Sequence, residues 1–321
     1  MARVLAITLN PALDCSIALD RLVPGTVHRV SAAMTTPAGK GHNVARVLAA
    51  HRHDVTVAGF LGADNAAVFE TAFAQWGVND ACVRIAGETR TNIKLAEAAG
   101  RVTDFNAVGP TVAPDDWNRL MAGLDRLAAT RFDAVVIAGS LPPGVDARRI
   151  HELIECLRNT HGPVWIDVSG EALAAAVQAV PAAIKPNDHE LAEWAGRPLA
   201  DEHALTAAAQ AIRQAGVPDV VVSRGAAGVL WFGTESALAA EAPAVSVVST
   251  VCAGDTLVAG LLHGRLSGWT DRDTLAFATA LAADAVTRIG VGRSDTPTFE
   301  SLKAAVAIRA LVDPAPALSR G

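Results

Sequence analysis

The chain has 321 residues, 51% hydrophobic and 19% charged, enough to bury the core of one large α/β domain or two medium ones. With 27 basic against 33 acidic residues the net charge is −6 and there is no basic run, which argues against a general nucleic-acid surface. Cys15, Cys82, Cys156 and Cys252 lack paired C-x-x-C spacing, which disfavours a zinc site or a disulfide framework. No apolar run is long enough to span a membrane and residues 4–9 read as a strand rather than a leader, so a cytoplasmic protein without a membrane partner is expected.

Taken in chain order, short apolar runs predict strands at 4–9, 55–60, 134–138, 164–168, 220–223 and 229–232. Between them, helices are predicted at 43–51, 115–129, 147–158 and 202–214, and a stripe of Ala278, Leu281, Ala282, Ala285, Val286 and Ile289 marks a late one. Such alternation, with near-continuous apolar strands, implies a mostly parallel sheet covered on both faces. Two segments break the rhythm. Residues 14–35 and 87–109 read as short strands and turns richer in charge, suited to a small second sheet acting as a lid or to plain surface hairpins. The tail 313–321, with Pro314 and Pro316, reads as frayed.

Several segments carry polar chemistry at strand ends or helix starts. Asn10-Pro11-Ala12-Leu13-Asp14 closes the first strand. Ala38-Gly39-Lys40-Gly41-His42-Asn43 is a glycine-rich entry to a helix, in which Lys40 can meet an anion and Asn43 can hold a hydroxyl; it lacks Walker A spacing, and a plain turn with a cap would look the same. Arg90, Asn92 and Lys94 alternate on one strand face, fit to clamp a phosphate or simply to be solvated. Gly139-Ser140-Leu141-Pro142 sets a hydroxyl at a strand end. In Lys185-Pro186-Asn187-Asp188-His189-Glu190, Asn187 and Glu190 share one face of a helical turn; this spacing suits a capping box, and also water-mediated contact with Mg²⁺. Ser223-Arg224-Gly225-Ala226-Ala227-Gly228 is a glycine hairpin. The histidines show no metal-ligand spacing.

The most informative segment is Ser249-Thr250-Val251-Cys252-Ala253-Gly254-Asp255, which opens a helix apolar on nearly every side and therefore buried. Small residues at a helix start expose backbone N–H groups and the positive end of the dipole, a ready phosphate cradle. Asp255 there is either an acid offsetting the dipole or a base for a hydroxyl that attacks a phosphate.

In this order the segments resemble the phosphofructokinase B branch of the ribokinase-like sugar kinases, from Thr8 to about Asp295. The resemblance implies a ribokinase-like three-layer α/β/α sandwich with a mostly parallel central sheet. It implies one kinase domain over 1–312, with residues 14–35 and 87–109 forming a small β-sheet lid, and a homodimer through that lid. It also implies ATP with Mg²⁺ as donor and a sugar phosphate as acceptor. On this pattern Asp255 is the catalytic base, with Ala253 and Gly254 in the anion cradle. Asp14, Gly39, Lys40, Asn43 and Ser140 hold the sugar and Arg90 its phosphate. Lys185, Asn187, Ser223, Gly225, Gly228 and Gly254 serve ATP, and Asn187 and Glu190 the metal through water. Within the family, Thr103-Asp104-Phe105-Asn106, Gly139-Ser140-Leu141-Pro142 and Val248-Ser249-Thr250-Val251 look most like members that convert fructose 1-phosphate into fructose 1,6-bisphosphate. Kinases of fructose 6-phosphate and tagatose 6-phosphate carry much the same motifs. One departure stands out: Cys252 occupies the usual place of the first cradle glycine. A silent sugar-phosphate sensor is the reading of another class, against which the presence of Asp255, Asn187 and Glu190 counts.

Overall fold

Buried apolar strands organise the fold, in a computed structural model that describes residues 1–30, 33–129 and 131–311. The tail 313–321, expected to fray, lies outside the described residues. The chain divides into two compact units, Met1–Pro163 and a second from Val164 onward.

The first unit runs β1 (Arg3–Thr8), β2 (Ala12–Leu19), β3 (Ala33–Ala38), α1 (Lys40–Ala50), β4 (Asp54–Gly62), α2 (Ala66–Trp76), β5 (Asn79–Asp80) and β6 (Val83–Ile85). It continues through β7 (Thr91–Glu97), β8 (Val102–Phe105), α3 (Pro114–Leu127), β9 (Ala134–Ala138) and α4 (Ala147–Thr160). β1 lies between β9 and β4 and is parallel to both, while β4 also pairs in parallel with β5 and β6. β9 is buried from end to end and β1 from its second residue on, as expected of parallel strands covered on both faces. The two segments that break the rhythm form a separate four-stranded sheet in the order β3-β2-β7-β8. Its outer pairs are antiparallel and its central pair, β2 with β7, is parallel. This sheet is thinly covered: Met34, Ile93, Val102 and Phe105 are all exposed.

The second unit contains β10 (Val164–Asp167), α5 (Glu171–Gln178), β11 (Ala183–Ile184), α6 (Asp188–Trp194), α7 (Glu202–Gln214), β12 (Asp219–Ser223), β13 (Val229–Phe232) and β14 (Ala237–Glu241). Then come α8 (Ala253–Leu266), α9 (Asp271–Val286), α10 (Phe299–Ala305) and β15 (Ala307–Ala310). β10, β11 and β12 are parallel, whereas β12, β13 and β14 form an antiparallel meander whose last strand is joined, after three helices, by antiparallel β15. α8 is buried on nearly every side, as its composition predicts, and α9 packs along it. No helix among the described residues is long and apolar enough to cross a membrane.

Two expectations shift. α1 starts at Lys40, three residues before the predicted boundary, so the glycine-rich run lies partly inside the helix. Ile289 lies beyond the end of α9 and is exposed, so the apolar stripe stops at Val286.

Candidate active site

The first unit brings together the residues expected to hold the sugar. Helix α1 starts hard against the end of β1. A Cβ on Gly41 would lie 2.5 Å from Thr8 Oγ1 and 2.7 Å from the Ile7 carbonyl oxygen, so only glycine allows this approach. Gly39 is the N-cap, no side chain caps the helix, and Lys40 and Asn43 fall in its first turn at the carboxyl end of a parallel strand. Ligands of open α/β sheets collect at such strand ends. Lys40 also borders the turn after β9, since a Cβ on Gly139 would lie 3.9 Å from its own Cβ.

Arg90 precedes β7 and turns toward the end of β1 rather than standing on the β7 face. Its Nη2 donates to the Asn10 carbonyl at 2.9 Å and to Ser140 Oγ at 3.2 Å. Its Nη1 donates to the Ala107 carbonyl at 2.6 Å and its Nε to that of Pro11 at 3.3 Å. Burial lowers the Arg90 pKa from its ordinary value, and the nearby Asp14 charge opposes that. A guanidinium so placed remains cationic. On β7 proper, Asn92 Nδ2 donates to Asp14 Oδ1 at 3.1 Å, and Lys94 Nζ lies 3.7 Å from Asp14 Oδ2. Asp14, Arg90, Asn92, Lys94 and Ser140 are therefore one polar cluster. His42 is not part of its chemistry: burial pushes it down to about 4, and it packs edge-on against Phe69 and Phe73.

The second unit gathers the residues expected to serve the nucleotide. Lys185 follows β11, is buried, and lies 3.4 Å from Asp167 Oδ1 at the end of β10. A methyl group built on Gly254 would come 3.6 Å from the Lys185 ammonium nitrogen. The ammonium thus sits at the start of α8, where the dipole already supplies positive charge and no side chain caps the N–H groups. Two like charges converging there, partly balanced by Asp167, suit an anionic ligand. Asp255 is buried in the same first turn. Cys252, the residue before the helix, has φ 67° and ψ −4°, a left-handed conformation that disfavours any residue with a Cβ.

Asn187 and Glu190 form a complete capping box at α6. Glu190 N donates to Asn187 Oδ1 at 2.8 Å, and Asn187 N donates to Glu190 Oε2 at 2.9 Å. The cap leaves out Glu190 Oε1 and one lone pair of Asn187 Oδ1, so both residues can cap the helix and still accept from a metal-bound water. No group of three or more His, Cys, Asp or Glu side chains among the described residues could hold a metal. Glu190 Oε1 and the second lone pair of Asn187 Oδ1 are acceptors that fit the waters of a Mg²⁺ arriving on phosphates. Ser223 bridges to Asn187 and its N–H donates to the Pro186 carbonyl at 3.1 Å, which puts the Gly225–Gly228 turn beside Lys185 and Asn187 in the same unit.

Two residues escape sequence reasoning. Asp167 is only the end of an apolar strand until the fold sets Lys185 beside it. Asn10 is legible merely as a strand end, yet its Nδ2 lies within hydrogen-bond reach of Val108 O, Ser140 Oγ and Leu141 O.

Residues 7–298 match the model of the pfkB family carbohydrate kinases. The 1-phosphofructokinase of Vibrio cholerae is 44% identical over 309 residues, covering 96% of this chain and 97% of that enzyme. The 1-phosphofructokinase of Escherichia coli K12 is 42% identical over 305 residues, covering 95% and 97%. Among solved structures, phosphofructokinase-2 of E. coli in complex with potassium superposes with a TM-score of 0.87 at 28% identity, covering 95% of this chain and 99% of that one. The ribokinase of Thermotoga maritima shares the fold at a TM-score of 0.73. With this match across most of its length, the chain belongs to the pfkB family of carbohydrate kinases.

Proposed function

We propose that the chain transfers the γ-phosphoryl group of ATP to the free primary hydroxyl of fructose 1-phosphate, giving fructose 1,6-bisphosphate and ADP. The observation that carries this is the meeting of Lys185 with the uncapped start of α8, Asp255 in the same turn, in a chain 39–44% identical to enzymes named 1-phosphofructokinase. The hydroxyl oxygen bonds to the γ-phosphorus while the bond to the β,γ-bridging oxygen breaks. Asp255 takes the hydroxyl proton and ADP leaves with the electron pair. Such transition states are loose, so most of the acceleration comes from placement and from N–H groups aimed at the transferring oxygens. Ala253, Gly254 and Asp255 supply those groups.

On the acceptor side, Asp14, Gly39, Lys40, Asn43 and Ser140 hold the sugar. Arg90 meets its phosphate, with the Lys94 ammonium close by. A kinase of a free sugar would have no use for these cations. Lys185, Asn187 and the turn carrying Ser223, Gly225 and Gly228 hold ATP. Mg²⁺ bound on the nucleotide would offset phosphate charge, with Asn187 and Glu190 reaching it through water. Residues 1–312 act as one kinase domain, with 14–35 and 87–109 as its lid. The exposed Met34, Ile93, Val102 and Phe105 support a homodimer through the lid. A cytoplasmic location suits this dependence on ATP.

The test is ADP production by the purified protein with MgATP and, separately, fructose 1-phosphate, fructose 6-phosphate, tagatose 6-phosphate and free fructose. A kcat/KM preference for fructose 1-phosphate is expected. Preference for a 6-phosphate would keep the mechanism and change the substrate, and silence on all four would favour a sensor.

A further inference from the structure

Ser140 stands exposed just after β9, and its Oγ has two neighbours, Asn10 Nδ2 and Arg90 Nη2, each at 3.2 Å. Neither nitrogen can accept a proton: an amide NH₂ and a guanidinium are donors only. The orientation of the Asn10 amide is fixed by its surroundings. Its Nδ2 also lies 3.1 Å from the Val108 carbonyl oxygen and 3.3 Å from that of Leu141, so exchanging O and N would set Oδ1 against two pure acceptors. Asn10 Nδ2 shares its two protons among three acceptors, yet neither it nor Arg90 Nη2 offers a lone pair, so the Ser140 hydroxyl proton has to point away from both.

The arrangement has a cost. Asn10 is 4% exposed, and among the described residues its Oδ1 has no hydrogen-bond partner. That oxygen faces Gly109, where a Cβ would come within 2.2 Å of it. A buried acceptor left unsatisfied destabilises the fold and calls for a reason. A space-filling apolar residue would avoid the penalty but could not donate.

We infer that Asn10 is a positioning residue that turns the Ser140 hydroxyl outward as an obligatory hydrogen-bond donor to the phosphate of the acceptor. This rests on the sugar-phosphate reading of the first unit. Beside that outward proton stands the Arg90 guanidinium, and the Asp14 carboxylate of the same cluster is already engaged by Asn92 Nδ2 and Lys94 Nζ. Phosphate, with many lone pairs and negative charge, matches that proton and guanidinium better than a sugar hydroxyl does. Two donors into one oxygen also polarise it and strengthen its own O–H as a donor.

The test is a double-mutant cycle in the full chain, with KM for fructose 1-phosphate and for ATP measured separately. Asn10→Ala and Ser140→Ala are each expected to raise KM for fructose 1-phosphate about tenfold, the scale of a hydrogen bond to a charged group. KM for ATP should stay within about twofold, and the double variant should be no worse than Ser140→Ala alone. Asn10→Ser, which can accept as well as donate, runs the same cycle if the alanine variant does not fold. Losses that multiply in the double variant, or equal rises in both KM values, would overturn the inference and leave the sugar-phosphate reading standing. An unchanged KM in Ser140→Ala would overturn the inference, whereas turnover of free fructose in preference to the sugar phosphates would overturn the reading it rests on.

Discussion

Cys252 sits in a left-handed conformation at the residue before α8, φ 67° and ψ −4°, and no side-chain bond caps that helix. A residue with a Cβ pays roughly 1–2 kcal/mol there. Glycine relieves that strain but gives back roughly 0.5–1 kcal/mol through the greater freedom of the unfolded chain. Comparing Cys252→Gly with Cys252→Ala isolates the backbone, because both remove the thiol and only one removes the Cβ. The glycine variant should be the more stable by about 0.5–1 kcal/mol, or about 1–3 °C in Tm for a chain of this size. Thermal unfolding followed by circular dichroism without nucleotide measures the difference. Both variants should keep turnover, since the N–H groups of Ala253, Gly254 and Asp255 are backbone. Equal melting temperatures, or a more stable alanine variant, would mean that residue 252 is not left-handed in solution.

Asp255→Asn should lower kcat by at least about 10², the usual scale for losing a general base, with near-UV circular dichroism unchanged. Near-normal turnover would remove Asp255 from the mechanism. A maleimide should inactivate the enzyme through Cys252 at the start of α8, and ATP should protect it. Full activity after complete labelling of Cys252 would refute this. Stability should fall as pH drops from 6.5 toward 4, because His42 is held neutral in the fold down to about 4 while the unfolded chain protonates from 6.5. That gap corresponds to about 3 kcal/mol, present above pH 6.5 and lost by pH 4. Urea unfolding across this range should be steeper in pH for the wild type than for His42→Leu, and equal slopes would show that His42 does not titrate as described.

Much of this was legible before the fold was seen, for definable reasons. Strands β9 and β13 fall at the predicted residues because they are continuous apolar runs, and α7 because its amphipathic period is clean. The second sheet announces itself as two breaks in the alternation. Its residues are charged where the neighbouring strands are not. The start of α1 was hidden because glycines at 39 and 41 speak against a helix, whereas Gly41 is required by the nearness of Thr8 and Ile7, a tertiary fact. The Asn187 and Glu190 pattern stayed ambiguous because a cap and a hydrated metal ask for the same residues, and at Asn187 for the same oxygen. Asp167 and Asn10 act through partners 18 and 130 residues away, Lys185 and Ser140. No local period encodes such pairs.

The pairing of Lys185 with Asp167 has a bearing on which anions the protein tolerates. An incoming phosphate meets a buried pair of zero net formal charge rather than a bare ammonium. Inorganic phosphate, a small and weakly anchored competitor, gains little from displacing Asp167. A nucleotide brings its base, ribose and further phosphates, and the energy of those remote contacts can be spent on drawing the lysine away from its carboxylate. On this reasoning Asp167 sets a charge cost for any anion at the start of α8, and the remote contacts of a nucleotide would offset it better than inorganic phosphate would.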